Sequence, residues 1–190
     1  MLGPRPYIEV KEILNSIPIR EHQVFLKLTY ATMGRVGEIV RGKYKKNPPI
    51  SSDDLEIDEK RLTISVLTEK VYKHRRVLIS RKNESWLTEP IIAFSKELPG
   101  ELFPYSTRWG EKVFEKYFDS QKIHSLRAWR ATHLLQGKVT GKPLPFQVVR
   151  RMGGWTDTAA LSKLYDFSVI EDYEDLILGG NKDDAIEGLG

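Results

Sequence analysis

Apolar residues recur along this chain at two different spacings, and the change from one to the other marks out its architecture. Ile8, Ile13, Leu14 and Ile17 stand at helical intervals until Pro18 ends the run, which predicts a short amphipathic helix over Ile8–Ile17. A second, more apolar helix is expected over Arg20–Met33, with Val24, Phe25, Leu28 and Ala31 along one face. Gly34 interrupts it, and R-V-G-E-I-V from Arg35 to Val40 starts a third. Gly42–Asp54 is a basic, proline-containing loop without periodicity. The period then shortens to two: Leu62, Ile64 and Val66 alternate with polar residues, and three strands are expected at Asp54–Ile57, Leu62–Leu67 and Arg75–Ile79. Helical spacing returns over Asn83–Leu98, where Pro90 is expected to start the regular part, and over Thr107–Phe118, His124–Leu135, Phe146–Met152, Thr158–Phe167 and Val169–Leu178. The predicted class is α+β, mostly α-helical, with a small three-stranded antiparallel sheet.

A chain of 190 residues, 40% hydrophobic and 29% charged, suits one globular domain with a buried core. No apolar run approaches the ~20 residues that span a bilayer, and no signal peptide opens the chain, so an intracellular (cytoplasmic) place and no membrane partner are expected. The absence of cysteine excludes disulfides, thiolate chemistry and Cys-based zinc sites. His22, His74, His124 and His133 show no metal-ligand spacing, so neither a metal nor a cofactor is expected. The net charge of +4 is unevenly spread: residues 171–190 carry −6, which leaves about +10 on the rest. A basic body with an acidic, glycine-containing tail suits a nucleic-acid partner, although solvated surface lysines give the same count.

The candidate chemistry lies mainly between His124 and Tyr165. His124 and Arg127 are three residues apart and share a helix face. Trp155 follows a Gly-Gly turn, and Tyr165 lies ten residues later. A cationic pair, an indole donor and a phenol are the parts for nucleophilic phosphoryl transfer without a metal. Arg35, placed where it opposes the macrodipole of its own helix, is a further candidate, with Glu38 one turn on to hold its guanidinium. The segment T-E-K-V-Y-K-H-R joins the second and third strands as a cationic hairpin tip, which can reach into a groove or protect an exposed edge.

Taken together, these stretches resemble the catalytic domain of tyrosine recombinases, the phage-integrase family. Y-A-T-M-G-R-V-G-E-I resembles the first arginine box, A-T-G-x-R-x-x-E-L, with Arg35 on its arginine and Glu38 on its acidic residue. Glycine here stands directly before the arginine, not two before it. E-K-V-Y-K-H-R-R-V-L-I resembles the hairpin T-K-T-x-K-x-R-x-V-P-L, which places the catalytic lysine at Lys70, with Lys73 the fallback. H-S-L-R resembles the second box, and M-G-G-W resembles the L-G-H element with tryptophan for histidine. Tyr165 falls on the nucleophile, one residue further from Trp155 than is commonest. All five elements occur in the family's order over about residues 5–178.

The resemblance implies the tyrosine recombinase catalytic-domain fold over residues 1–178, followed by a flexible acidic tail at 179–190. These 190 residues leave no room for the family's N-terminal core-binding domain, so it is expected to be absent from them, as in a catalytic-domain fragment or a minimal enzyme. An archaeal viral or plasmid source would suit the composition. The implied reaction is cleavage and rejoining of double-stranded DNA through a 3′-phosphotyrosyl intermediate on Tyr165, without ATP or metal. Arg35 and Arg127 would grip the phosphate, His124 would act as base or phosphate donor, Trp155 as indole donor and Lys70 as general acid. Lys43, Lys45, Lys46, Lys73, Arg75, Arg150 and Arg151 are the expected contacts to DNA. The family works as a ring of four subunits, and Val169–Leu178 suits the exchanged helix of a homo-tetramer. A type IB topoisomerase-like relaxation activity and a non-catalytic DNA-binding relative are the alternatives.

Overall fold

A computed structural model describes residues 4–42, 48–68, 72–119 and 121–156. Lys43, Lys45, Lys46, Lys70, Tyr165, the two helices expected after residue 157 and the acidic tail lie outside the described residues. Within them the chain forms α1 (Tyr7–Ser16), α2 (Arg20–Thr32), α3 (Val36–Ile39), β1 (Leu55–Ile57), β2 (Arg61–Leu67), β3 (His74–Ser80), α4 (Ser85–Glu97), α5 (Thr107–Glu115), α6 (His124–Leu135) and α7 (Phe146–Gly153). The class is the expected one: helices around one small antiparallel sheet.

The architecture is built on α2. Every residue from Val24 to Thr32 is buried, as a helix apolar on most sides must be. Around it pack α1, α4, α5 and α6, with Phe25, Phe103, Phe114, Leu126 and Trp129 in the same core. The polar residues of α2 find partners within this apolar setting: Thr29 Oγ1 donates to the Phe25 carbonyl at 2.8 Å and Thr32 Oγ1 to that of Leu28 at 2.7 Å. The sheet runs β1-β2-β3, with Ile64 opposite both Leu55 and Val77. Its inner face of Leu62, Ile64, Val66, Val77 and Ile79 closes the core.

Two segments depart from expectation. Ser52–Asp54, within the expected loop, is a 3-10 turn, because the Ser51 hydroxyl accepts the Asp53 N–H and the Asp54 carboxylate accepts that of Ser51. Helix α4 is already regular at Ser85 and carries Pro90 in its interior. A proline deprives the carbonyl four residues earlier of its donor. That carbonyl belongs to Trp86, and Lys27 Nζ, buried on α2, donates to it at 2.8 Å instead.

Candidate active site

The site begins where α2 stops. Met33 adopts left-handed backbone (φ 51°), which ends the helix after Thr32 and leads through Gly34 to Arg35, the cap of α3. In the sequence motif this is the position that glycine usually takes, and the backbone explains that preference. Glu38, buried in α3, accepts from the Arg35 backbone N–H at 3.1 Å and from its guanidinium at 2.9 Å. The expected clamp of Glu38 on Arg35 is therefore present, with Arg35 still part-exposed.

His124 opens α6, and Arg127 follows one turn later on the same face. Arg127 is 1% exposed; its Nη1 donates to the Met33 carbonyl, while its buried Nη2 has no hydrogen-bond partner among the described residues. The Trp155 ring lies 3.8 Å from this guanidinium, a cation–π contact. The Gly-Gly pair makes this placement possible. A Cβ at Gly153 would stand 1.7 Å from the Trp155 ring, and Gly154 is left-handed (φ 72°) at the end of α7. The indole thus folds back over its own turn and caps Arg127.

Arg75 requires a correction. Expected at the DNA surface, it is 8% exposed because β3 alternates outward and inward side chains and position 75 points in. Its Nη1 donates to the carbonyls of Thr32, at 2.7 Å, and Met152, and its Nη2 to Glu38 Oε2 at 3.0 Å. Of the other basic positions, Lys73 and Arg151 are exposed and Arg150 is half-buried. Sequence reasoning put Arg75 at the DNA surface; its place on the two-residue period that leads into buried Val77 and Ile79 was the available signal for an inward side chain.

Three guanidiniums, those of Arg35, Arg75 and Arg127, share Glu38 as the carboxylate acting on them among the described residues. Burial alone would raise the Glu38 pKa, but the charge and hydrogen bond of Arg75, with the backbone N–H and charge of Arg35, outweigh it and hold the carboxyl below its ordinary value. Burial, followed by repulsion from Arg35 and Arg75, brings Arg127 down to about 9. His124 is solvent-accessible, yet desolvation of its ring and then Arg127 and Arg35 lower its pKa, which favours neutral imidazole at pH 7. An excess of positive charge among the described residues, a buried Nη2 without a partner among them and a neutral imidazole together suit a tetrahedral oxyanion. Among the described residues no group of three or more His, Asp or Glu is placed to hold a metal ion.

No protein-family model and no curated protein matches the sequence. Solved structures do match. The catalytic domain of bacteriophage HP1 integrase aligns with a TM-score of 0.59 at 15% identity, over 97% of this chain and 99% of that one. XerH site-specific recombinase, bound to palindromic difH substrate in a post-cleavage complex, aligns at 0.58 and 16%, over 94% of this chain and 54% of that one. A lambda integrase dimer bound to a COC′ core site aligns at 0.57 and 15%, over 87% and 47%. The chain thus spans about half the length of the XerH and lambda integrase chains, and nearly all of the HP1 catalytic domain.

Proposed function

We propose, from a fold that this chain shares with the catalytic domains of tyrosine recombinases, that it is the catalytic part of a site-specific DNA recombinase or integrase. The observation that carries the reading is Arg127: a buried guanidinium capped by Trp155, its Nη2 without a partner among the described residues, beside Arg35 and His124. A surface arginine that merely meets solvent has no reason to be so enclosed. Tyr165, outside the described residues, is the proposed nucleophile. Its phenolate attacks the scissile phosphorus, the bond to the 5′-oxygen breaks, and a 3′-phosphotyrosyl ester forms. The exchange of one phosphodiester for another is nearly isoenergetic, so no nucleotide cofactor is needed.

A phenol of pKa ≈ 10 has to lose its proton during attack, and neutral His124 can accept it or donate an N–H to the phosphate. Charge that grows on the non-bridging oxygens meets Arg127 Nη2 and the exposed part of Arg35. Lys70, at the β2–β3 hairpin, is the proposed donor to the leaving 5′-oxygen. Each such group is typically worth ~10²–10⁴-fold in rate. Residues 169–178 are proposed to join subunits in a tetramer on DNA.

The test is a nicked suicide duplex carrying a site selected by binding from a randomised pool. The short strand released on cleavage diffuses away and traps the adduct, which peptide mapping by mass spectrometry then locates. Tyr165 is the expected attachment point, and Tyr165→Phe should lose the adduct with folding and duplex binding kept. An adduct that persists in Tyr165→Phe moves the nucleophile elsewhere. Binding without any adduct in the unmutated protein rejects the catalytic reading.

A further inference from the structure

We propose that Arg75 is a positioning residue of this site: from inside the fold it sets Glu38, and through it Arg35, together with the turn that presents Trp155 to Arg127. The inference rests on the phosphate-binding reading given above. An arginine pointing inward beside Val77 and Ile79 is costly unless its donors are met. Its Nη1 and Nη2 are met by three elements at once: the end of α2 (Thr32 carbonyl), α3 (Glu38) and the end of α7 (Met152 carbonyl), while its buried Nε has no partner among the described residues. Each acceptor lies within three residues of a group of the site. Thr32 precedes Met33, whose carbonyl receives Arg127. Glu38 holds Arg35, and Met152 leads into Gly153, Gly154 and Trp155.

The turn is fitted to Arg75 from the other side as well. A Cβ at Gly154 would stand 2.7 Å from Arg75 Cδ and 3.0 Å from its Nε, so the stem occupies the space that any other residue there would need. Only a planar fork reaches acceptors on three separate elements; a lysine ammonium is a point charge on a flexible stem and cannot keep all three. Arg75 also continues directly from the β2–β3 hairpin, so a displacement of that hairpin reaches Glu38 and the Trp155 turn through one side chain.

The test uses Arg75→Lys and Arg75→Gln with two readouts. At saturating suicide duplex, both variants should form the adduct about 100-fold more slowly, because misplacement of site groups of this order has that effect. Duplex affinity should stay within about threefold, since a buried side chain contributes no phosphate contact. Independently of DNA chemistry, titration with inorganic sulfate, followed by the NMR signal of the Trp155 indole N–H, should show affinity about tenfold weaker than in the unmutated protein. A full adduct rate or an unchanged sulfate response in Arg75→Lys overturns the proposal. Failure of both variants to fold even in the cold assigns Arg75 to global stability and overturns it too. Unmutated protein that responds to sulfate but forms no adduct rejects the recombinase reading alone, and the sulfate series still decides on Arg75. No sulfate response in the unmutated protein overturns the Arg75 proposal, whereas the recombinase reading stands or falls with the adduct.

Discussion

His133 is a buried imidazole (2% exposed) whose tautomer follows from its neighbours. Its Nε2 lies 2.7 Å from the Arg5 carbonyl, which can only accept, so Nε2 carries the proton. Nδ1, 2.8 Å from the Tyr30 hydroxyl, is then the acceptor. Burial brings the pKa from 6.5 down to about 4; the Arg5 carbonyl opposes this, and Arg130 and Lys138 reinforce it. The unfolded chain therefore takes up a proton near pH 6.5 that the folded chain refuses until about 4. The stability that this provides is complete above pH 6.5 and is lost as pH falls through that window, at ~1.4 kcal/mol per pH unit or about 3 kcal/mol in all. Urea unfolding of the unmutated protein and of His133→Gln from pH 7 to 4 checks it. The difference in slope between the two should disappear above pH 6.5, and equal slopes below it would refute the assignment. The sequence showed His133 opposite His124 on its helix and free of ligand spacing. It could not show Tyr30, which only the packing of α6 on α2 brings near. Arg75 illustrates the same limit: alternation along β3 pointed it inward, but its three acceptors come from segments far apart in the chain.

At the scale of elements, local periodicity was enough wherever a segment settles its own backbone hydrogen bonds. The three strands were legible within a residue or so, and α6 to the residue, because alternation and 3.6-residue spacing are local signals. Helix α4 is where that reasoning failed. Pro90 leaves the Trp86 carbonyl without its helical donor, and the replacement, Lys27 Nζ, comes from another helix. Lys27 is 2% exposed and burial lowers its pKa to about 8, yet its ammonium also faces the Trp86 ring at 5.6 Å. Lys27→Met should leave the Trp86 carbonyl unpaired and destabilise the fold by ~1–3 kcal/mol. Pro90→Ala restores a backbone N–H aimed at that carbonyl. In the Lys27→Met background it should therefore recover part of the loss, although in the unmutated background it competes with Lys27. A double-mutant cycle by urea unfolding measures this coupling. Additive effects within about 0.5 kcal/mol would mean that Lys27 does not stand in for the missing donor.

For the whole molecule, what the sequence could offer was order: an arginine box, a strand hairpin, H-x-x-R, then Gly-Gly-Trp. The fold brings α3, the start of α6 and the end of α7 together around Glu38 and Arg127, an assembly that no local pattern encodes. Charge count was the weakest guide to contact. It grouped Arg75 with Lys73 and Arg151, whereas the structure buries the first and exposes the other two. This difference has a thermodynamic signature. A side chain that neutralises a DNA phosphate releases condensed counterions, so log affinity falls against log salt with a slope of about −0.9 per contact. A buried guanidinium already paired with Glu38 releases none. Fluorescence anisotropy with a short duplex across about 50–200 mM salt should therefore give a steep line for the unmutated protein. Lys73→Ala and Arg151→Ala should each make it shallower by about 0.9, with binding weakened equally on unrelated sequences. Arg75→Gln should leave the slope unchanged. A slope that drops for Arg75→Gln and not for Arg151→Ala would mean that Arg75 leaves its internal partners to meet DNA. A slope near zero in the unmutated protein would remove the electrostatic basis for DNA as the partner.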